Sequence, residues 1–536
     1  MTRRAFAFAA LAVYLCFAAA PAVALPPPRP GLVDPLTQRY RTTGRKVPLF
    51  PKEVRGIRPS TRGGRIPLAP WRASVAAGIR PLAVDTRVQS VIRPLVLLVD
   101  FADRPASASP SISSAAFDTL FFGSGASDLS VRNYWNEVSY GNFSIQRPSA
   151  LVPANPDVVG WLRAGGTAPG GFPSTITSSY QVADVNVANI RQLLDNAIAS
   201  LSAQGFDFSP YVRPSDGTFS TVILVHPGTG QEDSGLAGVD PYSHTAQISP
   251  IATAAGNIVD YTIVPAKQYF TDPTPADPLT GIDPNLADDP LIGVGVIVHE
   301  MGHLLGLPDL YPTSTTGQVV TDNVFSGAGV FDLMAYGMWG NNLLQDPAIP
   351  AHLSAWSKSF LGWLTPTEVA SSSPRSLRPV EIFPEVDKVY SNTKSGDPTQ
   401  YLLVENREQA STLGSWLFDR IGMSGVLIWQ IDEAVINAHL STNDMNSNPA
   451  FRGVYVKEAD GVGHMGLPIP AGNPNDQAAY FGQQADLFLS AGQVFDRTNP
   501  STTVNSSPIV DNTFTNHPAD FGLQVSILSF SRTARI

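Results

Sequence analysis

Hydrophobic patterns typical of helices and of strands alternate along the first two-thirds of the chain. Residues 94–103 (PLVLLVDFAD) form a continuous apolar run that is typical of a buried strand, and residues 220–227 (STVILVHP) form a similar run that ends in a histidine. Residues 130–143 and 187–205 carry apolar side chains at helical spacing, and a glycine closes each run. We therefore predict an alternating arrangement of helices and strands as far as about residue 365.

The pattern changes beyond this point. Short apolar runs separated by Asn, Asp, Gly and Pro are typical of a β-rich unit; they read QYLLVENR, SGVLIWQID, RGVYVKEADG and GLQVSILSFS. The sequence thus predicts an α/β (α+β) domain over residues 91–370 and a β-rich C-terminal domain over residues 371–536.

An apolar segment, LIGVGVIVHEMGHLLGLPDLY (291–311), carries two histidines four residues apart. Two aspartates and a proline at 288–290 predict the start of a helix, and Gly306 predicts its end. Helical spacing places His299 and His303 on one face. Two neutral imidazoles on one face can bind a single zinc ion, so the segment is a candidate metal site.

Glu300 and Asp309 extend the pair of histidines to the motif HExxHxxGxxD. A glutamate next to the first histidine can accept a proton from water at the metal. Asp309 can supply a third ligand and leave one position for water, which is typical of catalytic zinc. From the residue alone, a simple turn role for Asp309 after Pro308 remains equally open.

Met334 and Tyr336 lie 25 and 27 residues further on, within the turn-rich segment GVFDLMAYGMWG (329–340). A methionine can form an apolar floor beneath a metal, and a tyrosine two residues later can donate a hydrogen bond to a developing oxyanion. Each could also be an ordinary core residue. Their combination with the preceding motif favours a catalytic zinc site.

These motifs and several further blocks resemble the immune inhibitor A-like family of secreted bacterial metallopeptidases, in the metzincin clan. The blocks span about residues 91–525 and read LVLLVDFAD, SVRNYWNEVSYGNFSI, STVILVHPG, HEMGHLLGLPDLY, GVFDLMAYGMWG, LSAWSKSFLGWL, YLLVENR, GVLIWQIDE and VKEADG. The resemblance implies a metzincin-type zincin fold for the catalytic domain. It further implies zinc ligands at His299, His303 and Asp309, a general base at Glu300, a Met-turn residue at Met334 and an oxyanion helper at Tyr336.

The chain departs from the family pattern at two positions. Pro312 follows the tyrosine of PDLY where relatives often carry an acid, and Tyr242 precedes Ser-His where a tryptophan is common. These departures concern nearby calcium binding and the wall of the cleft, and neither is a proposed zinc ligand.

Charge is distributed unevenly. The whole chain has a formal net charge of −10, which gives no support for binding to nucleic acid. Residues 26–93 contain fourteen Lys or Arg and three acids, whereas the chain from residue 94 onward carries a net charge of −23. We interpret residues 25–90 as a basic pro-segment held partly by long-range attraction; a flexible basic linker is the alternative.

The first 24 residues have the pattern of an export signal. Arg3 and Arg4 precede the apolar run AFAFAALAVYLCFAAA, and AVA at 22–24 is a small-residue cleavage site. A Sec signal is favoured over a twin-arginine signal and over a membrane anchor, and no later segment is predicted to span a membrane. Cys16, the only cysteine, lies inside this signal. The mature chain is thus expected to have no disulfide and no cysteine switch.

Calcium is a further candidate cofactor. The segment TDPTPADPLTGIDPNLADD (271–289) concentrates aspartates just before the predicted metal helix, but it lacks the spacing of a defined calcium loop, which favours a solvated acidic loop. Four aspartates in the C-terminal part are candidates for calcium binding in the same sense: Asp444, Asp460, Asp476 and Asp486.

The sequence therefore predicts a secreted, monomeric zinc endopeptidase that acts on proteins or peptides, at an extracellular, periplasmic or cell-surface location. Two alternatives stay open. One is a zinc hydrolase of non-peptide substrates, because the motif activates water without specifying the bond. The other is a surface adhesion module with an inactive zinc site.

Overall fold

The computed structural model describes the greater part of the chain after residue 90. The described residues are 23–24, 91–106, 110–183, 185–234, 238–268, 291–313, 325–340, 349–369, 374–390, 400–408, 416–419, 421–449, 451–467, 478–489, 494–495, 525–526 and 534–535. Four features considered above lie outside the described residues. They are the basic segment 25–90, the acidic segment 271–289, Asp476 and all of the signal except residues 23–24.

Strands and helices both contribute to the described structure, which is a mixed α/β fold. The strands are β1 (Val23–Ala24), β2 (Val91–Ile92), β3 (Leu95–Asp100), β4 (Ser144–Ile145), β5 (Val158–Ala164), β6 (Gly171–Phe172), β7 (Val222–His226), β8 (His244–Ala252), β9 (Asn257–Pro265), β10 (Thr367–Glu368), β11 (Ser376–Leu377), β12 (Asp387–Tyr390), β13 (Gln400–Arg407), β14 (Gly425–Asp432), β15 (Val454–Val456), β16 (Val494–Phe495), β17 (Val525–Ser526) and β18 (Ala534–Arg535). The α-helices are α1 (Ser114–Phe122), α2 (Val131–Val138), α3 (Val187–Ala203), α4 (Gln231–Ser234), α5 (Val294–Leu304), α6 (Ala355–Phe360) and α7 (Glu433–His439). Among the described helices, none has the length and apolar character needed to cross a membrane.

The larger sheet has seven strands in the order β1-β8-β9-β7-β3-β5-β6. Its pairs from β9 to β6 are parallel, whereas β8 runs antiparallel to β9. On its other side, within the part of the chain that the structure describes, β8 pairs with just the two residues of β1, also antiparallel. The long strand β8 therefore lies almost at the edge of the sheet.

Both faces of this sheet are covered. In β3, Leu95, Leu97 and Val99 point into a core that also contains the apolar face of α3. Val96 and Leu98 point into a second core, which contains α2 and α5. Coverage on both faces explains why the strand reads as an unbroken apolar run, and it confirms the prediction of a buried strand at residues 94–103.

The smaller sheet has five strands in the order β10-β12-β13-β14-β15. Its centre is the antiparallel pair of β13 and β14, in which eight residues of each strand are matched. All residues of both strands are buried. These strands correspond to the predicted runs QYLLVENR and SGVLIWQID, whereas only Val525–Ser526 of GLQVSILSFS is described.

The two sheets share hydrophobic core. Leu403 of β13, and Leu427 and Trp429 of β14, belong to the same buried cluster as helix α5. The alternate residues of these strands, such as Leu402 and Ile428, pack in a separate small cluster. The change in composition near residue 370 is thus not accompanied by a break in packing.

A buried arginine provides a polar connection between the two parts. Arg407 on β13 is fully buried and donates hydrogen bonds to both carboxylate oxygens of Asp419, at 3.0 and 3.1 Å, and to Glu405 Oε1 at 3.1 Å. It also donates to the carbonyl of Phe331, at 2.8 Å, and to that of Leu353, at 3.4 Å. Burial by itself would raise the pKa of Asp419, but the positive charge of Arg407 outweighs it and holds that pKa below its ordinary value.

We predict that Arg407→Met lowers the free energy of unfolding by about 3–5 kcal/mol, because it leaves Asp419 and Glu405 buried without their cation. Arg378→Met is a matched control, since Arg378 pairs with Glu385 at the surface; it should hardly move the denaturation midpoint. Guanidinium unfolding followed by circular dichroism measures both. Equal effects of the two substitutions would contradict the role assigned to Arg407.

Candidate metal centre

Helix α5 carries the HExxH residues and is buried over its whole length, Val294–Leu304. The predicted start at 288–290 is wrong, because the helix begins after Gly293. The Ile292 N–H donates to the Ala266 carbonyl at 3.0 Å, and Leu291 forms a bridge with Lys267. These bonds keep the chain extended beyond the end of β9, so helical geometry starts only at Val294.

The imidazoles of His299 and His303 project from one side of α5, with ring centroids 4.9 Å apart. His299 Nδ1 lies 2.9 Å from the Leu333 carbonyl, and His303 Nδ1 lies 2.8 Å from the Leu307 carbonyl. A carbonyl can only accept, so each Nδ1 carries the hydrogen and each Nε2 keeps a free lone pair. Both Nε2 atoms are buried and have no hydrogen-bond partner. Burial also lowers the pKa of His299, which favours its neutral form.

Asp309 is brought to the same point by the turn that ends α5. Gly306 adopts the left-handed conformation (φ +94°), and Leu307 N–H bonds back to the Gly302 carbonyl at 3.0 Å. The Oδ1 atom of Asp309 lies 3.3 Å from His299 Nε2 and 3.4 Å from His303 Nε2.

These three side chains fit a metal ion. One donor atom from each lies within 4.8 Å of the others, and Asp309 Oδ1 is buried without a hydrogen-bond partner, as are both Nε2 atoms. Ligands about 2.0–2.1 Å from a tetrahedral zinc ion are separated by about 3.3 Å, close to the two distances between Asp309 and the imidazoles. Buried polar atoms rarely lack partners. A cation at their meeting point would satisfy all three.

Glu300 is the other ionisable group on this part of α5. Its side chain is fully buried, and neither carboxylate oxygen has a hydrogen-bond partner. Burial and the charge of Asp309 raise its pKa well above the ordinary value. Its backbone carbonyl accepts a hydrogen bond of 2.9 Å from the Thr245 hydroxyl, which ties α5 to strand β8.

Met334 lies directly against α5, in a tight turn between two short 3₁₀ segments, Gly329–Phe331 and Tyr336–Trp339. The side chain is fully buried, and its sulfur would be only 2.5 Å from a Cβ built on Gly302. The residue before it, Leu333, supplies the carbonyl that orients His299. The turn therefore packs against α5 at Gly302, and it fixes the tautomer of His299.

Tyr336 is also buried, with 3% of its surface exposed. Its ring centroid lies 6.3 Å from that of Tyr311, which in turn lies 6.3 Å from that of His299. The ring of Tyr311 thus lies between Tyr336 and His299 in this group of aromatic side chains.

Two polar residues at the site were not predicted from the sequence. Asp332 shapes the turn, because its Oδ1 accepts from Met334 N–H at 2.6 Å and its Oδ2 accepts from Ser354 N–H at 2.8 Å and the Ser357 hydroxyl at 2.7 Å. Its place two residues before the methionine was the available signal. Asn443, from the distant 440–448 loop, bonds to Asp309 and left no local signal.

A second group of potential ligands lies in the C-terminal part and consists of Glu458, Asp460 and His464. Glu458 accepts hydrogen bonds from the backbone N–H groups of His464, at 2.6 Å, and Met465, at 3.0 Å. Asp460 accepts from Val462 N–H at 2.9 Å. These acids therefore have a role in holding the 458–465 loop, and the described residues give calcium no further support.

Two other buried histidines, His244 and His352, have partners of their own. Both nitrogens of His244 are bonded, at 2.7 Å each, to the Tyr242 carbonyl and the Tyr261 hydroxyl. His352 lies 2.8 Å from Glu137, behind the Met334 turn. Neither belongs to the group formed by His299, His303 and Asp309.

We predict that Gly302→Ala destabilises the metal-free protein by about 1–3 kcal/mol, because its new methyl group must displace the Met334 sulfur. In a Met334→Ala background that clash is gone, and Gly302→Ala should become neutral or stabilising, since alanine favours the helix. Denaturant midpoints of the four proteins in this cycle give the coupling. The same cost in both backgrounds would show that the two residues are not in contact.

Comparison with known proteins gives a consistent result. The pre-pro-metalloprotease PrtV of Vibrio cholerae serotype O1, in strain M66-2 and in strain ATCC 39315 / El Tor Inaba N16961, is 24% identical to this chain over 356 residues. The match covers 60% of this chain and 35% of each relative, so the chain spans about a third of the length of these curated relatives.

A family match covers the described metal centre. Residues 93–364 match the family described as "Immune inhibitor A peptidase M6, catalytic domain". This range is just over half of the chain and includes helix α5, Asp309 and the Met334 turn. The match confirms the resemblance found in the sequence and the assignment to the metallopeptidase class: the chain belongs to the immune inhibitor A peptidase M6 family.

Proposed function

We propose that this protein is a zinc-dependent endopeptidase in which His299, His303 and Asp309 bind the metal. One observation carries the proposal: three buried donor atoms from these residues converge without other partners beside a buried glutamate. Zinc bound there would supply Lewis-acid activation of water and of a peptide carbonyl. Family membership supports the choice of a peptide bond over the non-peptide alternative.

Glu300 is the proposed general base and acid. Its fully buried carboxylate adjoins the proposed ligand His299 in the chain, where it can take a proton from the attacking water and then give it to the leaving amine. Tyr336 is proposed to donate a hydrogen bond to the oxyanion, and Met334 to support the histidines from below.

Strand β8 is the proposed binding edge for substrate backbone. Among the described residues it pairs along its length with β9 on one side and with the two residues of β1 on the other. The Thr245 hydroxyl near its start bonds to the Glu300 carbonyl. The antiparallel pairing of Val23–Ala24 with Thr245 and His244 is an instance of an extended segment on this edge. A peptide bound in the same way would be recognised largely through its main chain.

Export and domain organisation are part of the proposal. Residues 1–24 are the proposed signal, residues 25–90 the basic pro-segment or linker, residues 91–370 the metzincin-type catalytic domain and residues 371–536 the β-rich C-terminal domain. The pattern of the first 24 residues supports secretion, and membership of a peptidase family supports action on other proteins. The strongly acidic body is compatible with the proposed monomer, because net charge of one sign opposes association.

We expect Glu300→Gln to lower casein hydrolysis by about 10²–10⁴-fold, because the amide has the same shape but cannot accept the proton. Zinc content and folding should stay as in the wild type. Glu433→Gln is a matched control, since Glu433 is a half-buried glutamate whose pKa burial also raises, but it accepts a hydrogen bond from the Tyr401 hydroxyl. Casein digestion and metal analysis measure the outcome, with a glycan panel to test the non-peptide alternative. Activity of Glu300→Gln within tenfold of the wild type would refute the mechanism.

Removal of the metal tests the ligands independently of activity. Zinc at about 1,000 times its Kd should stabilise the chelator-treated protein by about 4 kcal/mol, because it binds the folded state. Thermal unfolding with and without zinc measures this response. His303→Ala should abolish most of it, whereas His244→Ala, which removes a bonded histidine outside the cluster, should retain it. A full response in His303→Ala would place the metal elsewhere.

A further inference from the structure

The two oxygens of Asp309 have different surroundings. Oδ1 faces His299 and His303 and has no hydrogen-bond partner. Oδ2 accepts a hydrogen bond of 2.5 Å from the side-chain amide of Asn443, whose Oδ1 accepts from the Asp309 backbone N–H at 2.8 Å. Asn443 therefore holds both the carboxylate and the backbone of one proposed ligand.

The two groups of Asp309 that bond to Asn443 determine which side chains fit at position 443. A backbone N–H can only donate and a carboxylate can only accept, so the side chain between them must accept at one atom and donate at the other. A primary amide does both within one rigid group. The hydrogen bond to a charged acceptor is also of the stronger kind.

Asn443 is itself firmly placed. It is 7% exposed and has a left-handed backbone (φ +57°), which asparagine tolerates better than most residues. Its carbonyl accepts a hydrogen bond from the Thr313 hydroxyl. Three residues later, Asn446 donates to the Leu310 carbonyl at 2.9 Å and to the Val454 carbonyl at 2.7 Å. The 440–448 loop is thus docked on the segment after α5 by several independent bonds.

We propose that Asn443 is a positioning residue of the metal centre, which orients Asp309 so that Oδ1 alone is directed at the metal. This inference rests on the proposed function, since it concerns the same ligands. Partners of this kind fix the direction of a ligand and commonly change metal affinity by about 10–100-fold when removed. Asn443 lies beyond residues 93–364, so the centre is completed by a part of the chain that the family match does not include.

Asn443→Gly is the most direct test, because glycine accepts the left-handed backbone and removes only the amide. Zinc affinity of the full mature chain, measured by competition with a coloured chelator, should fall about 10–100-fold. The visible spectrum of the protein loaded with Co²⁺ should change, since the carboxylate is then free to turn at the metal. Asn443→Ala should give the same two results and serves as a second variant if the glycine substitution unfolds the protein.

Asn446→Ala is the matched control. It removes an amide that docks the same loop but does not touch Asp309. We expect it to lower the denaturation midpoint of the metal-free protein while zinc affinity stays within threefold and the Co²⁺ spectrum is unchanged. Equal losses of affinity in the two variants would show that Asn443 acts only through loop docking, and would overturn the proposal.

Zinc affinities of the wild type and of His299→Ala distinguish a failure of this inference from a failure of the proposed function. If the wild type binds zinc tightly and His299→Ala does not, the metal centre stands. Zinc affinity of Asn443→Gly within twofold of the wild type, with the same Co²⁺ spectrum, would then overturn the role of Asn443 alone. Absence of tight zinc binding in the wild type would overturn both.

Discussion

The burial of the Asp309 carboxylate between two imidazoles constrains the structure around it. A charge removed from water is costly unless it is paired and hydrogen-bonded. Asp309 Oδ2 accepts a hydrogen bond from the 440–448 loop, whereas Oδ1 faces the two imidazoles of α5 without a hydrogen-bond partner. The sharp turn at Gly306 and the docking of that loop both hold this one group in place.

The histidines depend in the same way on irregular backbone. Their Nδ1 atoms bond to carbonyls that follow the end of α5 or belong to the Met334 turn, so neither tautomer is set by the helix itself. Asp332 holds that turn through three hydrogen bonds and thereby acts on His299 at one remove. Helix α5 sets the spacing of the two histidines, and the loops around it set their tautomers.

The sequence predicted what depends on local periodicity. The buried strand at β3, the helix at α3 and the glycine that ends α5 follow from the spacing of apolar residues and from backbone preference. The predicted start of α5 at residues 288–290 was wrong, because backbone bonds to residues 266 and 267 keep the chain extended and override the capping signal. Arg407 and Asn443 could not be predicted, since their partners are up to 134 residues away and no local pattern records them.

The Asp309–Asn443 contact has a consequence for the order of folding. The chain is synthesised from its N-terminus, so all three proposed ligands exist before Asn443 and before the strands that carry Leu403 and Trp429. During that interval α5 lacks part of its hydrophobic cover, and a nascent chain is most exposed to aggregation while such surface is open. The proposed metal centre, with Asn443 as part of it, can therefore be complete only after the last third of the chain has been made.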